Sequence, residues 1–285
     1  MNNGLEQLNN HVEVIGTLKT MNVESKTSMK GNEYYSGKMI VDCNINGVAY
    51  EQVIKIMTMA NSYYAKGLQT VLNEYKASDV VGKDEATRLL VSGQMELVEY
   101  ISVGGLRHWN EVKGLNFTRI TDEKVNDKSV AQIMTVIDDI SEVKDEKGAL
   151  TGNLKVEGFT VNWNSDVVPL LDTEVDKSLA DSFRKAYKTG DTVDLYYNIL
   201  SGTSRVIKDE VLYFGEKIPA SEVASKENYI NKLIIYSGGA PIKNGLEYSP
   251  EKIEIAKQIR KNKINSLSAP KPKIPATVTG FGSPF

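Results

Sequence analysis

The strongest constraint on the fold of this 285-residue chain is a pattern of predicted elements that occurs twice. A β-rich stretch with an interior glycine leads into a short amphipathic helix, and more strand follows that helix. The first copy runs from His11 to about Thr121, and the second runs from about Gln132 to about Tyr213. A repeat of this length indicates two similar β-rich units in place of one large core.

Alternating apolar residues predict the strands of the first copy. Residues 11–21 alternate in this way, and Gly16 marks a bend in the strand. Asn46-Gly47 predicts a two-residue hairpin turn between strands over 34–45 and 50–57. Apolar spacing predicts a helix over 61–76 whose inner stripe includes Tyr64 and Tyr75.

The second copy follows the same order. Strands are predicted over 132–143 and 153–163, and a short strand over 167–171 contains Pro169, which favours an edge position. A helix over 176–188 precedes a hairpin over 192–214. Ser249-Pro250 is typical of a helix start, and the chain becomes rich in Pro, Ser and Lys from Asn265.

A small barrel with a helix between its third and fourth strands is the arrangement of an OB-fold. We therefore expect a mainly β protein with short helices and two OB-fold-like five-stranded β-barrels. The predicted domains are residues 1–125 and 126–248, followed by a basic helix over 249–265 and a flexible tail over 266–285.

Composition limits the class of protein. Net charge is −3, although residues 251–285 carry seven Lys or Arg against two Asp or Glu. The acidic total counts modestly against a nucleic-acid-coating protein, but local clustering of lysines is compatible with it. The single cysteine, Cys43, fits a reducing compartment, and neither a secretory signal nor a long apolar run occurs. We expect a cytoplasmic protein with no membrane contact.

Residues that carry catalysis are sparse. Two histidines, His11 and His108, and one cysteine cannot supply the usual four ligands of a zinc site. His108 has no serine or cysteine nucleophile motif beside it, and Asp138 and Asp139 point to opposite faces of a predicted strand. The chain is therefore expected to be no enzyme and to need no cofactor or metal.

The two-barrel arrangement, the lack of a catalytic motif and the terminal Pro284-Phe285 together resemble single-stranded DNA-binding proteins of the OB-fold type, in particular those of bacteriophages. The resemblance implies stacking of bases on aromatic rings and docking of replication or recombination proteins on the tail tip. Here Gly282-Ser283 precedes Pro-Phe, and lysines at 271 and 273 stand where such tails are acidic. For the basic helix and tail, Lys252 to Lys273, the hypothesis is phosphate contact or self-association on DNA, and the favoured alternative is that Ile253, Ile255 and Ile259 dock the helix on the second barrel.

Single-strand binding needs aromatic platforms for bases and Lys or Arg near phosphates. The chain interleaves both types in loops and at strand ends. The candidate ssDNA-binding residues are Lys30, Tyr34, Tyr35, Lys38, Arg107, Trp109, Lys113, Lys155, Trp163, Tyr197 and Arg205. For each aromatic residue the alternative is packing within a barrel. Phe159 and Trp163 share a strand face with Val161, so a core position is expected for at least one of them.

The leading hypothesis is non-catalytic protection of single-stranded DNA in phage replication or recombination. The alternative is a β-rich phage structural or assembly protein that acts through protein–protein contacts, which explains the acidic balance better. Stacking requires Tyr34, Tyr35, Trp109 and Trp163 to be exposed along one groove, whereas a structural role permits burial. A weaker third hypothesis, an enzyme or defence antagonist, requires a pocket around His108.

Overall fold

Seventeen elements make up the part of the chain that the computed structural model describes, residues 4–206, 211–213, 216–218, 227–243 and 245–268. The first half contains β1 (Asn10–Thr27), β2 (Glu33–Ile45), β3 (Val48–Met59), α1 (Ala65–Glu74), α2 (Ser78–Val81), β4 (Arg88–Ser102) and β5 (Gly105–Arg119). The second half contains β6 (Lys128–Lys144), β7 (Leu150–Val161), β8 (Val167–Leu170), β9 (Thr173–Val175), α3 (Lys177–Ala186), β10 (Thr192–Val206), β11 (Val211–Tyr213), β12 (Glu216–Ile218), β13 (Glu227–Gly238) and α4 (Pro250–Ser268).

The first five strands close into a circuit. β1 pairs antiparallel with β2, β2 with β3, and β4 with both β1 and β5. The parallel pairing of β3 with β5 completes the ring. Because α1 and α2 connect the third strand to the fourth, the connectivity is that of an OB-fold.

Five strands of the second half close in the same order. β6 pairs with β7 and β10, β7 with β9, and β10 with β13, all antiparallel. The parallel pairing of β13 with β9 closes the ring, and α3 lies between its third and fourth strands. β8 pairs with β7 outside this ring, in agreement with the edge position predicted from Pro169. The expectation of a mainly β chain with two OB-fold-like five-stranded barrels is confirmed.

β1 belongs to both halves of the sheet because it bends at Gly16. Its first part pairs with β4 on one side and with β6 on the other, and from Thr17 onward β2 becomes its neighbour. A Cβ atom at Gly16 would lie 2.2 Å from the carbonyl oxygen of Asp42, so only glycine permits this approach. At the predicted bend, the backbone of β1 therefore lies unusually close to the backbone of β2.

The two barrels share one eleven-stranded sheet. β1 pairs with β6 over Asn10–Ile15, and β3 pairs with the far end of β10 over Val48–Glu51. A main core of aliphatic residues contains side chains from both barrels. The division at residue 125 stays a prediction, since these pairings join the predicted domains.

A second apolar cluster lies on the outer side of β6 and β7. The N-terminal residues Leu5 and Leu8 meet Phe159, Tyr248 of the segment before α4, and Ala256 of α4 itself. Phe159 is buried, as expected for at least one aromatic residue of its strand face. Burial of these apolar side chains anchors α4 on the second barrel.

Three element boundaries differ from those predicted. β1 continues to Thr27, because its polar end pairs with β2 as a two-stranded ribbon whose faces are mostly exposed. The first helix begins only at Ala65, and Tyr64, predicted to lie in the core, is 38% exposed. α4 continues to Ser268, three residues into the predicted tail.

Candidate nucleic-acid interface

The register of the β2–β3 hairpin determines which side chains face outward together. Asn46 and Gly47 both adopt positive φ angles, 53° and 79°, as a two-residue hairpin turn requires. This turn pairs Ile45 with Val48, and the register continues to Tyr34 opposite Met59. The buried residues of both strands alternate with an outer set that includes Tyr34, Lys38, Lys55, Met57 and Met59.

Three lysines form a row across this outer face, which we call the lysine row: Lys38, Lys55 and Lys113. Lys38 lies opposite Lys55 in the antiparallel register, and Lys55 lies beside Lys113 in the parallel pairing of β3 with β5. Adjacent strands are about 4.8 Å apart. The row therefore places three cationic side chains on neighbouring strands.

The lysines of this row differ in their neutralisation. The amine of Lys55 lies 2.6 Å from Glu111 Oε1 and 3.7 Å from Glu96 Oε2, and Lys113 donates to Glu96 over 2.9 Å. Burial lowers the pKa of Lys55, but its hydrogen bonds and attraction to Glu111 and Glu96 outweigh burial and raise that pKa overall. Lys38 is exposed and makes no ion pair with any described residue.

An apolar patch, the Tyr–Met patch, continues this face toward the start of α1. It consists of Tyr34, Met57 and Met59 on the paired strands, and the exposed Tyr63 follows Met59 in the turn before α1. Met57 is 53% exposed, Met59 41% and Tyr63 87%, whereas Tyr34 is half-buried. Contiguous exposed apolar side chains mark binding surfaces more often than isolated ones do. Sequence reasoning missed Lys55, Met57, Met59 and Tyr63.

The hairpin of β4 and β5 carries further predicted residues on its outer side. Trp109 alternates with buried Asn110 and is half-buried, with its ring 6.0 Å from that of Tyr100 in an edge-to-face contact. Arg107 lies opposite Tyr100 in the register and is exposed. The structure thus places Trp109, Arg107 and Lys113 on outward positions of one strand.

The two remaining predicted residues of the first barrel, Lys30 and Tyr35, differ in their exposure to solvent. Lys30 lies exposed at the tip of the β1–β2 turn. Tyr35 packs against the main core, and its hydroxyl accepts a hydrogen bond of 3.0 Å from Gln69 Nε2. Tyr34 and Tyr35 therefore point to opposite sides of β2, and only Tyr34 faces the lysine row.

The prediction that Tyr197 contacts DNA is wrong. Its side chain is fully buried, and its hydroxyl lies 2.7 Å from Thr135 Oγ1. Burial raises the pKa of this hydroxyl, so the ring is a neutral core residue. The register of β10 shifts between Tyr196 and Tyr197, and the half-buried Tyr196 instead rests against Tyr236 with ring centroids 6.3 Å apart.

The other predicted residues of the second barrel lie apart from the lysine row. Lys155 is exposed on β7 and pairs with Glu157 at 2.6 Å. Trp163, 67% exposed, lies in the turn between β7 and β8, where nearby Ser165 donates to the Leu5 carbonyl. Arg205 lies on β10 opposite Ala49 of β3. Pro284 and Phe285 lie outside the described residues.

A cavity of about 620 Å³ lies between α4 and the strands β7 and β8. His108 lines it, as do Lys257, Arg260 and Lys261 of α4. The described residues that line it include no serine, threonine or cysteine whose hydroxyl or thiol His108 could activate. Among the described residues, no group of three or more His, Cys, Asp or Glu is placed to hold a metal ion.

Helices of the described ranges are all too short or too polar to cross a membrane. No curated protein matches the chain significantly by sequence.

Solved structures of single-stranded DNA binding proteins are among those similar to this chain. A deletion mutant of the single-stranded DNA binding protein from Thermus aquaticus is 12% identical with a TM-score of 0.48, and the match covers 86% of this chain and 98% of that one. The wild-type Thermus aquaticus protein is 10% identical with a TM-score of 0.47, over 87% and 100%. A replication protein A heterotrimer bound to ssDNA is 10% identical with a TM-score of 0.22, over 94% and 55%. The family model YorF matches residues 9–270, and the chain therefore belongs to the YorF family.

Proposed function

We propose that this protein binds single-stranded DNA across the outer face of β2, β3 and β5. Bases lie on the Tyr–Met patch and on Trp109, and phosphates contact Lys38, Lys30 and Arg107. The observation that carries the proposal is the position of Lys38, which is exposed and unpaired with any described carboxylate, on the same strand face as Tyr34. An aromatic ring and an unpaired cation on one strand face supply the two kinds of group that a single strand needs, one for a base and one for a phosphate.

The physical argument has two parts. Each stacked base contributes roughly 1–3 kcal/mol and is accepted whatever its identity, since every base has a π-face. Lysine contacts with phosphates release counterions, so the affinity falls with salt. Neither contact reads base edges, and sequence preference is therefore expected to be weak. This suits a protein that protects single strands during phage DNA replication or recombination in the host cytoplasm.

The alternative, an assembly protein acting through protein–protein contacts, draws support from the neutralised part of the lysine row. Lys55 and Lys113 already have carboxylate partners, as in a surface that meets another protein. Docking of replication proteins by Pro284 and Phe285 is part of our proposal and rests on the family resemblance alone.

Tyr34→Ala separates these two functions. We expect the variant to bind a labelled dT oligomer about 5-fold to 150-fold more weakly, the equivalent of one lost stacking contact of roughly 1–3 kcal/mol. Tyr236→Ala is the matched control, because Tyr236 is a 42% exposed tyrosine on β13 of the second barrel. Equal affinities for Tyr34→Ala and Tyr236→Ala would contradict stacking on this face.

A further inference from the structure

The cavity beside α4 lies against β7 of the second barrel, the counterpart of β2, which carries part of the proposed interface on the first. β7 is the second strand of its circuit, as β2 is of the first, and β8 pairs along its edge. On the first barrel the second and third strands are open to solvent. On the second barrel, α4 covers the outer face of β7 together with β8 and leaves about 620 Å³ beneath it. Ligand cavities have volumes of about 300–1,000 Å³.

The cavity has an apolar floor and a charged rim. Val167, Pro169, Leu170 and Leu171 of β8 and the residues that follow it form part of the floor. The rim has four cationic side chains, Lys155, Lys257, Arg260 and Lys261, and three carboxylates, Asp138, Glu157 and Asp172. The exposed Lys261 makes no ion pair with the described residues, so it is free to meet a phosphate.

Glu99 of β4 holds α4 over this cavity through two ion pairs. Its carboxylate, 5% exposed, lies 2.5 Å from Arg260 Nη1 and 3.2 Å from Lys263 Nζ. Lys257 adds an ion pair of 2.6 Å to Asp138 of β6. Ile253, Ala256 and Ile259 anchor α4 by apolar contact as far as its middle, whereas Arg260 and Lys263 secure the second half by charge. Removal of the Glu99 charge should therefore release the second half first.

The β4–β5 hairpin connects the two surfaces. One of its sides carries Glu99 and His108, which face α4 and the cavity. The neighbouring residues Tyr100 and Trp109 point to the other side, toward the proposed interface. A strand of DNA that leaves the first barrel and passes round this hairpin reaches the cavity on its other side.

We propose that the α4 cavity is a second, normally closed subsite for single-stranded DNA, which opens when Arg260 and Lys263 leave Glu99. The inference rests on the proposed function, because the subsite would bind a further part of the strand that the first barrel holds. A base enters above the apolar floor, and its phosphate meets Lys261 and the cations that Glu99 releases. The Glu99 contacts then set whether the second barrel takes part in binding.

Two oligomer lengths test this proposal. One OB-fold covers about 4–16 nucleotides, so dT of about 10 nucleotides fits the first barrel alone and dT of about 30 reaches both. Glu99→Gln should bind the long oligomer about fivefold more tightly than the wild type and bind the short one equally. Glu142→Gln is the control, because Glu142 pairs with Arg184 of α3, away from the cavity.

Two further variants test whether the increase in affinity caused by Glu99→Gln comes from the cavity. Leu171→Trp in the Glu99→Gln background fills the cavity and should abolish the gain, and Lys261→Glu in that background should reduce it. Lys185→Glu is the charge-matched control on α3. Retention of short-oligomer binding shows in each case that the protein is folded.

Three results would contradict the subsite. They are equal affinities of Glu99→Gln and the wild type for the long oligomer, an equal increase in affinity for both oligomers, and an increase that persists after Leu171→Trp. Failure of the wild type to bind even the short oligomer would instead refute the proposed function.

Discussion

Lys38 and Lys55 lie directly opposite each other on β2 and β3, yet they differ in their electrostatic partners. Lys55 contacts Glu111 and Glu96, whereas Lys38 is exposed and has no ion pair among the described residues. Two lysines with the same register position therefore have different roles. Lys38 can contact a phosphate without breaking an ion pair, whereas Lys55 must first lose a carboxylate partner.

Lys38→Glu should weaken binding of single-stranded DNA and change its salt dependence. Loss of one phosphate contact reduces the slope of log affinity against log salt by about 0.7 for a single strand. Affinities measured at several salt concentrations give this slope. Lys83→Glu, an exposed lysine in the turn after α2, should leave it unchanged. Equal slopes for Lys38→Glu and the wild type would remove Lys38 from the interface.

Glu111→Gln should have the opposite effect. The substitution leaves Lys55 with only its longer, 3.7 Å contact to Glu96, so its amine can turn to a phosphate. Affinity should therefore increase about threefold, the equivalent of roughly 0.7 kcal/mol. The salt slope should become steeper, since one more lysine meets phosphate. Glu146→Gln in the β6–β7 turn serves as control. A weaker affinity for Glu111→Gln would mean that Lys55 serves the fold alone.

The two tryptophans should respond differently to DNA. Trp109 lies on the proposed interface against Tyr100, and Trp163 lies in the turn between β7 and β8. Stacked bases quench indole fluorescence, so Trp163→Phe should retain most of the DNA-induced quenching and Trp109→Phe should lose most of it. Fluorescence titration of both variants measures this. Quenching that disappears in Trp163→Phe alone would place the bound strand elsewhere.

Tyr197→Phe should affect stability and leave DNA binding unchanged. The buried hydroxyl loses its 2.7 Å hydrogen bond with Thr135, which also donates to the Ile133 carbonyl. The free energy of unfolding should fall by about 1 kcal/mol, the net contribution of one hydrogen bond. Urea denaturation gives this value, and an oligomer titration gives the affinity. Reduced affinity with unchanged stability would restore Tyr197 to the interface.

Acid should weaken the junction of the two barrels through Glu13. The hydrogen bond from Lys128 is the largest cause that holds the pKa of Glu13 below its ordinary value of 4.5. A lowered folded-state pKa stabilises the protein above the unfolded-state pKa, and this stabilisation is lost as the pH falls through the folded-state pKa. Glu13→Gln should therefore show a smaller loss of stability between about pH 6 and about pH 3 than the wild type. Identical pH profiles would exclude the contribution.

Local sequence determines much of the fold and part of the interface. The Asn46-Gly47 turn alone sets the register that places Lys38 opposite Lys55 and Tyr34 opposite Met59. Lys55, Met57 and Met59 were therefore accessible from the sequence by extending the hairpin register from its turn. Burial of Phe159 followed similarly from strand alternation.

Other features depend on contacts that no local signal specifies. The parallel pairing of Lys55 with Lys113 joins strands distant in the chain, and no turn sets its register. The position of α4 over β7 and β8 likewise depends on Glu99 of the other barrel. The inward position of Tyr197, by contrast, was accessible from strand alternation, because Val193, Leu195 and Ile199 on the same face of β10 are also buried.

The most direct test of the central claim compares single-stranded and duplex DNA of equal length. A labelled dT oligomer of about 30 nucleotides is titrated with the full chain at low and high salt, with a matched duplex as control. The account predicts salt-sensitive binding that prefers the single strand and quenches Trp109. Absence of binding at low salt, or equal affinity for the duplex, would contradict it and favour a role in protein–protein contacts.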